Sequence, residues 1–236
     1  MGAPHEPKEP ASETVSDAVH DAVAAVKPRL RGWLHAGTAP LAVAAGLVLV
    51  ILAPTTTARV ASAVFTVCAG LLFGTSAVYH RGNWSPRTRM LLKRFDHSNI
   101  FLIIAGSYTP FAALLLPEGR GRTLLFIVWG GAIAGVLFRV FWVGAPRWLY
   151  TPVYVALGWV AVMYLPDFLR TGGPAIVTLI IVGGGLYTLG AVVYGLKRPD
   201  PSPRWFGFHE IFHACTVAAF VTHYIAVSMT VYGHSG

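Results

Sequence analysis

The sequence predicts an all-α integral membrane protein, a bundle of seven transmembrane helices with a cytoplasmic N-terminus. Three observations carry this. Of 236 residues 55% are hydrophobic and only 12% charged, too little charge to cover a soluble domain of this size. Apolar runs of about 20 residues, each long enough to cross a hydrocarbon layer roughly 30 Å thick, alternate with short polar or Pro/Gly-containing breaks. The basic residues fall unevenly on the two sides that such runs define.

The expected spans are approximately 38–54, 60–80, 95–116, 123–143, 149–167, 174–195 and 209–231. With the N-terminus inside, 14 of the 18 Lys and Arg residues lie on inner segments, leaving Arg59, Arg120, Arg122 and Arg170 outside. That asymmetry sets the orientation. Trp33, Trp84, Trp148 and Trp205 all fall at inner segment ends, as an interfacial aromatic belt requires.

Before the first span, residues 1–34 form a cytoplasmic tail, and 35–236 form the membrane domain. The tail starts Pro- and Glu-rich. From Thr14 to Val26, valines at helical spacing oppose Asp17, His20 and Asp21, which suggests a short amphipathic helix on the membrane surface. The first 26 residues carry five acidic groups and no apolar core, unlike a cleaved signal peptide. A net charge of +8 does not indicate a nucleic-acid partner, because the cations are spread over the segments between spans. The only two cysteines, Cys68 and Cys215, sit inside apolar runs as reduced packing residues.

Small-xxx-small spacings at Gly70/Gly74 and Gly131/Gly135 allow close helix approach, and the Gly183–Gly185 run reads the same way. Pro110 is expected to kink the third span.

The seventh span opens with His209-Glu210-Ile211-Phe212-His213, which places two imidazoles on one helix face. The predicted topology brings His80, at the inner end of the second span, and Asp96, at the inner start of the third, to the same depth. Ser76 lies one helical turn from His80. Three imidazoles with a carboxylate and a hydroxyl match the needs of a catalytic zinc site, namely three nitrogen ligands and an open position for water. An Asp at a helix centre in a membrane costs about 2.5–3.5 kcal/mol and less near the interface, so Asp96 is expected to face the bundle interior. There it is suited to act as general base, with Ser76 orienting water or a substrate oxygen. A structural zinc joining three helices, and a metal-free polar cluster, remain alternatives at this point.

The H-E-x-x-H string also fits a metalloprotease. Glu210, however, projects about 100° round the helix from His209, and no carboxylate follows His213 to complete such a site. Of the remaining histidines, His97 is expected as a plain interfacial residue, with tuning of Asp96 as the alternative, and His223 as a buried hydrogen-bonding residue some 15 Å along the helix from the pair; His5 and His20 are expected as solvent-exposed, and His35 and His234 as residues near the two membrane surfaces that belong to no constellation. Arg139 is expected to snorkel to the headgroups.

The strings Ser76-Ala77-Val78-Tyr79-His80, Asp96-His97-Ser98-Asn99-Ile100-Phe101, Ala105-Gly106-Ser107-Tyr108-Thr109-Pro110-Phe111 and His209-Glu210-Ile211-Phe212-His213 resemble the hemolysin III branch of the progestin and adipoQ receptor family. The resemblance runs from about residue 35 to the C-terminus. It implies a seven-helix fold, a zinc ion held by His80, His209 and His213, and a site lined by Asp96 and Ser76. Kinship with alkaline ceramidases implies a membrane lipid amide or ester as substrate. The branch's cytolysin name implies the alternative, a pore-forming or membrane-homeostasis protein in which zinc is structural. Fold and metal site transfer more safely than activity does.

Overall fold

The computed structural model describes residues 28, 30–142 and 144–233, without the side chain of Arg147. The proposed amphipathic helix, with His5, His20 and His234, lies outside the described residues. The elements are α1 (Trp33–Leu52), α2 (Thr56–Arg81), α3 (Pro86–Leu115), α4 (Glu118–Phe141), α5 (Arg147–Gly158), a 3-10 turn (Trp159–Tyr164), α6 (Leu165–Leu196) and α7 (Phe208–Gly233). Among the described residues six helical stretches are long and apolar enough to cross a membrane, and one of them, Trp148–Leu196, is 49 residues long.

Two helices begin where a side chain satisfies one of their free N–H groups. Thr55 caps α2 by accepting from the Ala58 N–H at 3.1 Å. Ser85 caps α3 in the same way, and Pro86 follows at the first helical position, where its missing donor costs nothing. This start extends the third helix about two turns before its apolar run and carries Arg87, Arg89, Lys93 and Arg94. Pro110 lies inside the 30-residue α3, whose dihedrals stay helical throughout.

The 49-residue stretch spans the fifth and sixth expected crossings. A straight helix of that length would measure about 73 Å, more than twice a hydrocarbon core. One residue within α6 departs from helical dihedrals: Gly173, at φ 79° and ψ 174°, which only glycine adopts without strain. Across that break the Tyr150 and Tyr194 hydroxyls meet at 3.2 Å, and Trp159 Nε1 donates to Thr188 Oγ1 at 3.0 Å. The early arm therefore lies alongside the late one. Tyr108 on α3 pins the 3-10 turn: its hydroxyl donates to Gly158 O and accepts from the Ala161 N–H, both at 2.6 Å.

The central helix is α3, which packs against α2, α4, α5, α6 and α7, while α7 also closes on α1 and α2. Being surrounded by protein explains how α3 tolerates buried Asp96, Ser98, Asn99 and Ser107 in an apolar medium. Small residues set the helix spacing. A Cβ on Gly135 would meet the Phe101 ring at 2.4 Å, and one on Gly131 would meet Leu157 at 2.7 Å. Gly183 is similarly filled by the His223 ring, whereas Gly74, Gly184 and Gly185 face open space, so only one glycine of that run makes a close approach. Leu41, Ile51, Phe126, Phe141 and Met163 are exposed, as lipid-facing side chains would be. Cys68 and Cys215 are both free.

Candidate metal centre

His80 closes the last turn of α2, and His209 and His213 occupy the first two turns of α7. Gly32 lets the chain entering α1 pass against His80: its φ is 81°, and a Cβ there would stand 2.8 Å from His80 Cβ. The three histidines can each present one ring nitrogen so that all lie within 4.8 Å of one another. His80 Nε2 and His209 Nε2 are 3.2 Å apart, and the His209 and His213 ring centroids 4.5 Å apart. Ligands of a tetrahedral zinc ion, with Zn–N near 2.0–2.1 Å, stand about 3.3 Å from one another. The donor set and its spacing therefore fit a metal ion.

Asp96 approaches the same point from α3, with Oδ2 3.7 Å from His80 Nε2. The buried Ser76 hydrogen-bonds its carboxyl. All five side chains anticipated from sequence thus converge, drawn from α2, α3 and α7.

Glu210 is absorbed elsewhere. Its Oε1 accepts from Arg31 Nε and its Oε2 from the Gly207 N–H, both at 2.9 Å. It ties the segment before α1 to the start of α7 and leaves the imidazoles to Asp96.

Two cavities meet at the cluster. An apolar one of about 340 Å³ runs between the helices past Ile100, Ile104, Phe111, Val155 and Phe168, and its wall includes Ser76, Asp96, His209 and His213. A polar vestibule of about 600 Å³ opens on the other side and is lined by His80, His209, Arg31, Arg89, Lys93 and Arg139 among others. His97, Tyr150, Tyr194 and His209 border both.

Residues 23–224 match the family described as Haemolysin-III related. The chain belongs to that family. A Hemolysin-3 homolog of Bacillus subtilis (strain 168) is 34% identical over 146 residues, 61% of this chain and 68% of the relative. Hemolysin-3 of Bacillus cereus is 34% identical over 163 residues, 68% of this chain and 74% of that one. A more distant relative, progestin and adipoQ receptor-like protein 1 of Caenorhabditis elegans, is 25% identical over 187 residues, which cover 72% of this chain and 43% of the relative.

Three expectations need correction in this haemolysin-III related chain. His35 does not stand apart from the constellation: it is 2% exposed and stacks on His213 with centroids 3.8 Å apart and planes 6° from parallel. Arg139 does not snorkel. It is 1% exposed, lies over the Tyr150 ring at 4.3 Å and contacts His97 Nδ1 at 2.5 Å. His97 is accordingly a bridge rather than a plain interfacial group, and its backbone carbonyl also accepts from the Tyr154 hydroxyl at 3.1 Å. Hydropathy assigns both His35 and Arg139 to span ends, and only the rotation of each helix turns them inward. His223 matches its expectation, with Nε2 3.4 Å from Ile180 O and the ring against Tyr187.

Proposed function

We propose that this protein is a zinc-dependent hydrolase of a membrane lipid amide or ester. The observation that carries the reading is the position of the three-histidine cluster, with Asp96 and Ser76 beside it, at the junction of a polar vestibule and an apolar cavity. A soluble-substrate enzyme has no use for the second, and a mere helix staple has no use for either.

His80, His209 and His213 would hold the ion, and Asp96 would accept the proton of the attacking water and return it to the leaving amine nitrogen or alcohol oxygen as the carbonyl–heteroatom bond breaks. Zinc held by three imidazoles supplies Lewis acidity at one open position. Ser76 keeps the carboxyl of Asp96 aimed at the cluster through its hydrogen bond. The apolar cavity takes the acyl chain, burial that excludes water from one side of the scissile bond and orients the other toward Asp96. Tyr194 and His209, on the border of both cavities, stand where the carbonyl would pass.

The same reading has the chain cross the plasma membrane seven times, N-terminus inside and the cluster at the cytoplasmic leaflet. The Gly173 break, with Tyr150 against Tyr194, supports counting the 49-residue stretch as two crossings, and the distribution of Lys and Arg supports the orientation. The test is metal analysis of the purified protein together with lipid profiling of membranes exposed to it and to Asp96→Ala. Stoichiometric zinc and a hydrolysed lipid that disappears in the variant are expected. Hydrolysis undiminished in Asp96→Ala overturns the mechanism.

The Bacillus cereus relative is named Hemolysin-3, which favours a second reading, a pore-forming or membrane-homeostasis protein with a structural metal. Lysis of pure liposomes that survives Asp96→Ala would select it.

A further inference from the structure

The vestibule beside the histidines is lined by four cations, Arg31, Arg89, Lys93 and Arg139, and no Asp or Glu stands among its described lining residues. Arg31 is engaged from behind by Glu210, and Arg89 hydrogen-bonds the Tyr79 side chain. Arg139 is the informative member. It is fully buried near the end of α4, yet the two side chains it contacts by hydrogen bond and ring stacking, the His97 ring and the Tyr150 face, carry no negative charge, and no carboxylate of the described residues pairs with it within 4.0 Å. Its Nε and Nη1 have no hydrogen-bond partner among the described residues. A buried guanidinium without a carboxylate is costly unless an anion reaches it from outside the chain.

We infer that the vestibule holds the phosphoryl group of an anionic acyl lipid, with Arg139 as the innermost contact and Arg89 and Lys93 nearer its mouth. This rests on the hydrolase reading for the position of the scissile bond. The two cavities share His97, Tyr150, Tyr194 and His209, so a molecule with its head in the vestibule and its chain in the apolar cavity passes the three-histidine cluster. A phosphoryl group suits the cations better than a carboxylate does. It carries up to two charges and presents three acceptor oxygens to donors on α3 and α4 at once, whereas a carboxylate presents two oxygens in one plane.

The experiment compares binding of phosphatidic acid, diacylglycerol and free fatty acid of one chain length to the full-length protein in detergent, with inorganic phosphate as competitor. Phosphatidic acid is expected to bind about tenfold more tightly than diacylglycerol, and Arg139→Gln to abolish that preference while keeping zinc content. Arg139→Gln also alters packing inside the bundle, so a second variant is read beside it: Arg89→Gln combined with Lys93→Gln, nearer the mouth, is expected to reduce the preference severalfold by itself. Equal binding of the phosphorylated and neutral lipids, or a preference unchanged in both variants, overturns the inference. Fatty acid held as tightly as phosphatidic acid overturns the phosphoryl assignment, and full displacement by millimolar inorganic phosphate overturns the lipid as its source. Zinc and turnover are read on the same samples. Selection of the phosphorylated lipid without zinc or turnover retires the hydrolase reading alone, and turnover without headgroup preference retires this site alone.

Discussion

His80 and His209, 129 positions apart in the chain, direct their Nε2 atoms at each other across 3.2 Å. Two imidazoles brought nitrogen to nitrogen, with a third at ligand distance, share an ion more favourably than a single proton. Purified protein is therefore expected to contain about one zinc per chain, and His80→Ala, His209→Ala or His213→Ala to lose most of it. Elemental analysis decides this, and zinc retained in all three variants would sink the site.

In the proposed mechanism Asp96 moves a proton rather than holding the ion: it lies outside the three-histidine group, although its Oδ2 is 3.7 Å from His80 Nε2 and its carboxyl is hydrogen-bonded by Ser76. Asp96→Asn should keep the metal and lower turnover by about 10²–10⁴-fold, the range of a lost general base. A variant that loses zinc and activity together would instead make Asp96 a ligand.

Glu210 is 1% exposed and satisfied by Arg31 and the Gly207 N–H. Glu210→Gln should cost about 1–3 kcal/mol of stability through the weakened charge-assisted bonds, with zinc content intact and most turnover retained. A thermal melt beside an activity assay separates this from a protease-like base, for which turnover would vanish with the melt unchanged.

His35 lies flat on His213 and restricts how that ring can rotate. His35→Ala should weaken zinc binding by about tenfold, as removal of a ligand's supporting neighbour does, while His35→Phe, which preserves the stack, should stay near wild type. Competition with a zinc chelator measures both. If His35→Phe is as weak as His35→Ala, the imidazole contributes a ring nitrogen and the stack is incidental.

The glycine run gives an internal control on packing. Gly183→Ala drives a methyl into the His223 ring and should destabilise by about 1–3 kcal/mol, while Gly184→Ala meets nothing and should be neutral or slightly stabilising. Equal melting temperatures for the two variants would refute the His223 contact.

Residue types and their spacing suffice to locate the apolar stretches, because crossing or burying a helix is a matter of length and transfer free energy summed along it. They also suffice to nominate Ser76, His80, Asp96, His209 and His213, since titratable groups in apolar runs are too expensive to be idle. The break between the fifth and sixth runs is visible in Gly172-Gly173-Pro174, but the turn there depends on Gly173 alone adopting φ 79°. Which way each helix faces was decided by tertiary structure. Each residue rotates the helix by about 100°, so a small change in packing carries a side chain from lipid to interior. For this reason His35 and Arg139, which hydropathy leaves near the membrane surfaces, reach the histidine cluster and its vestibule, while Glu210, inside the motif, serves to fasten Arg31.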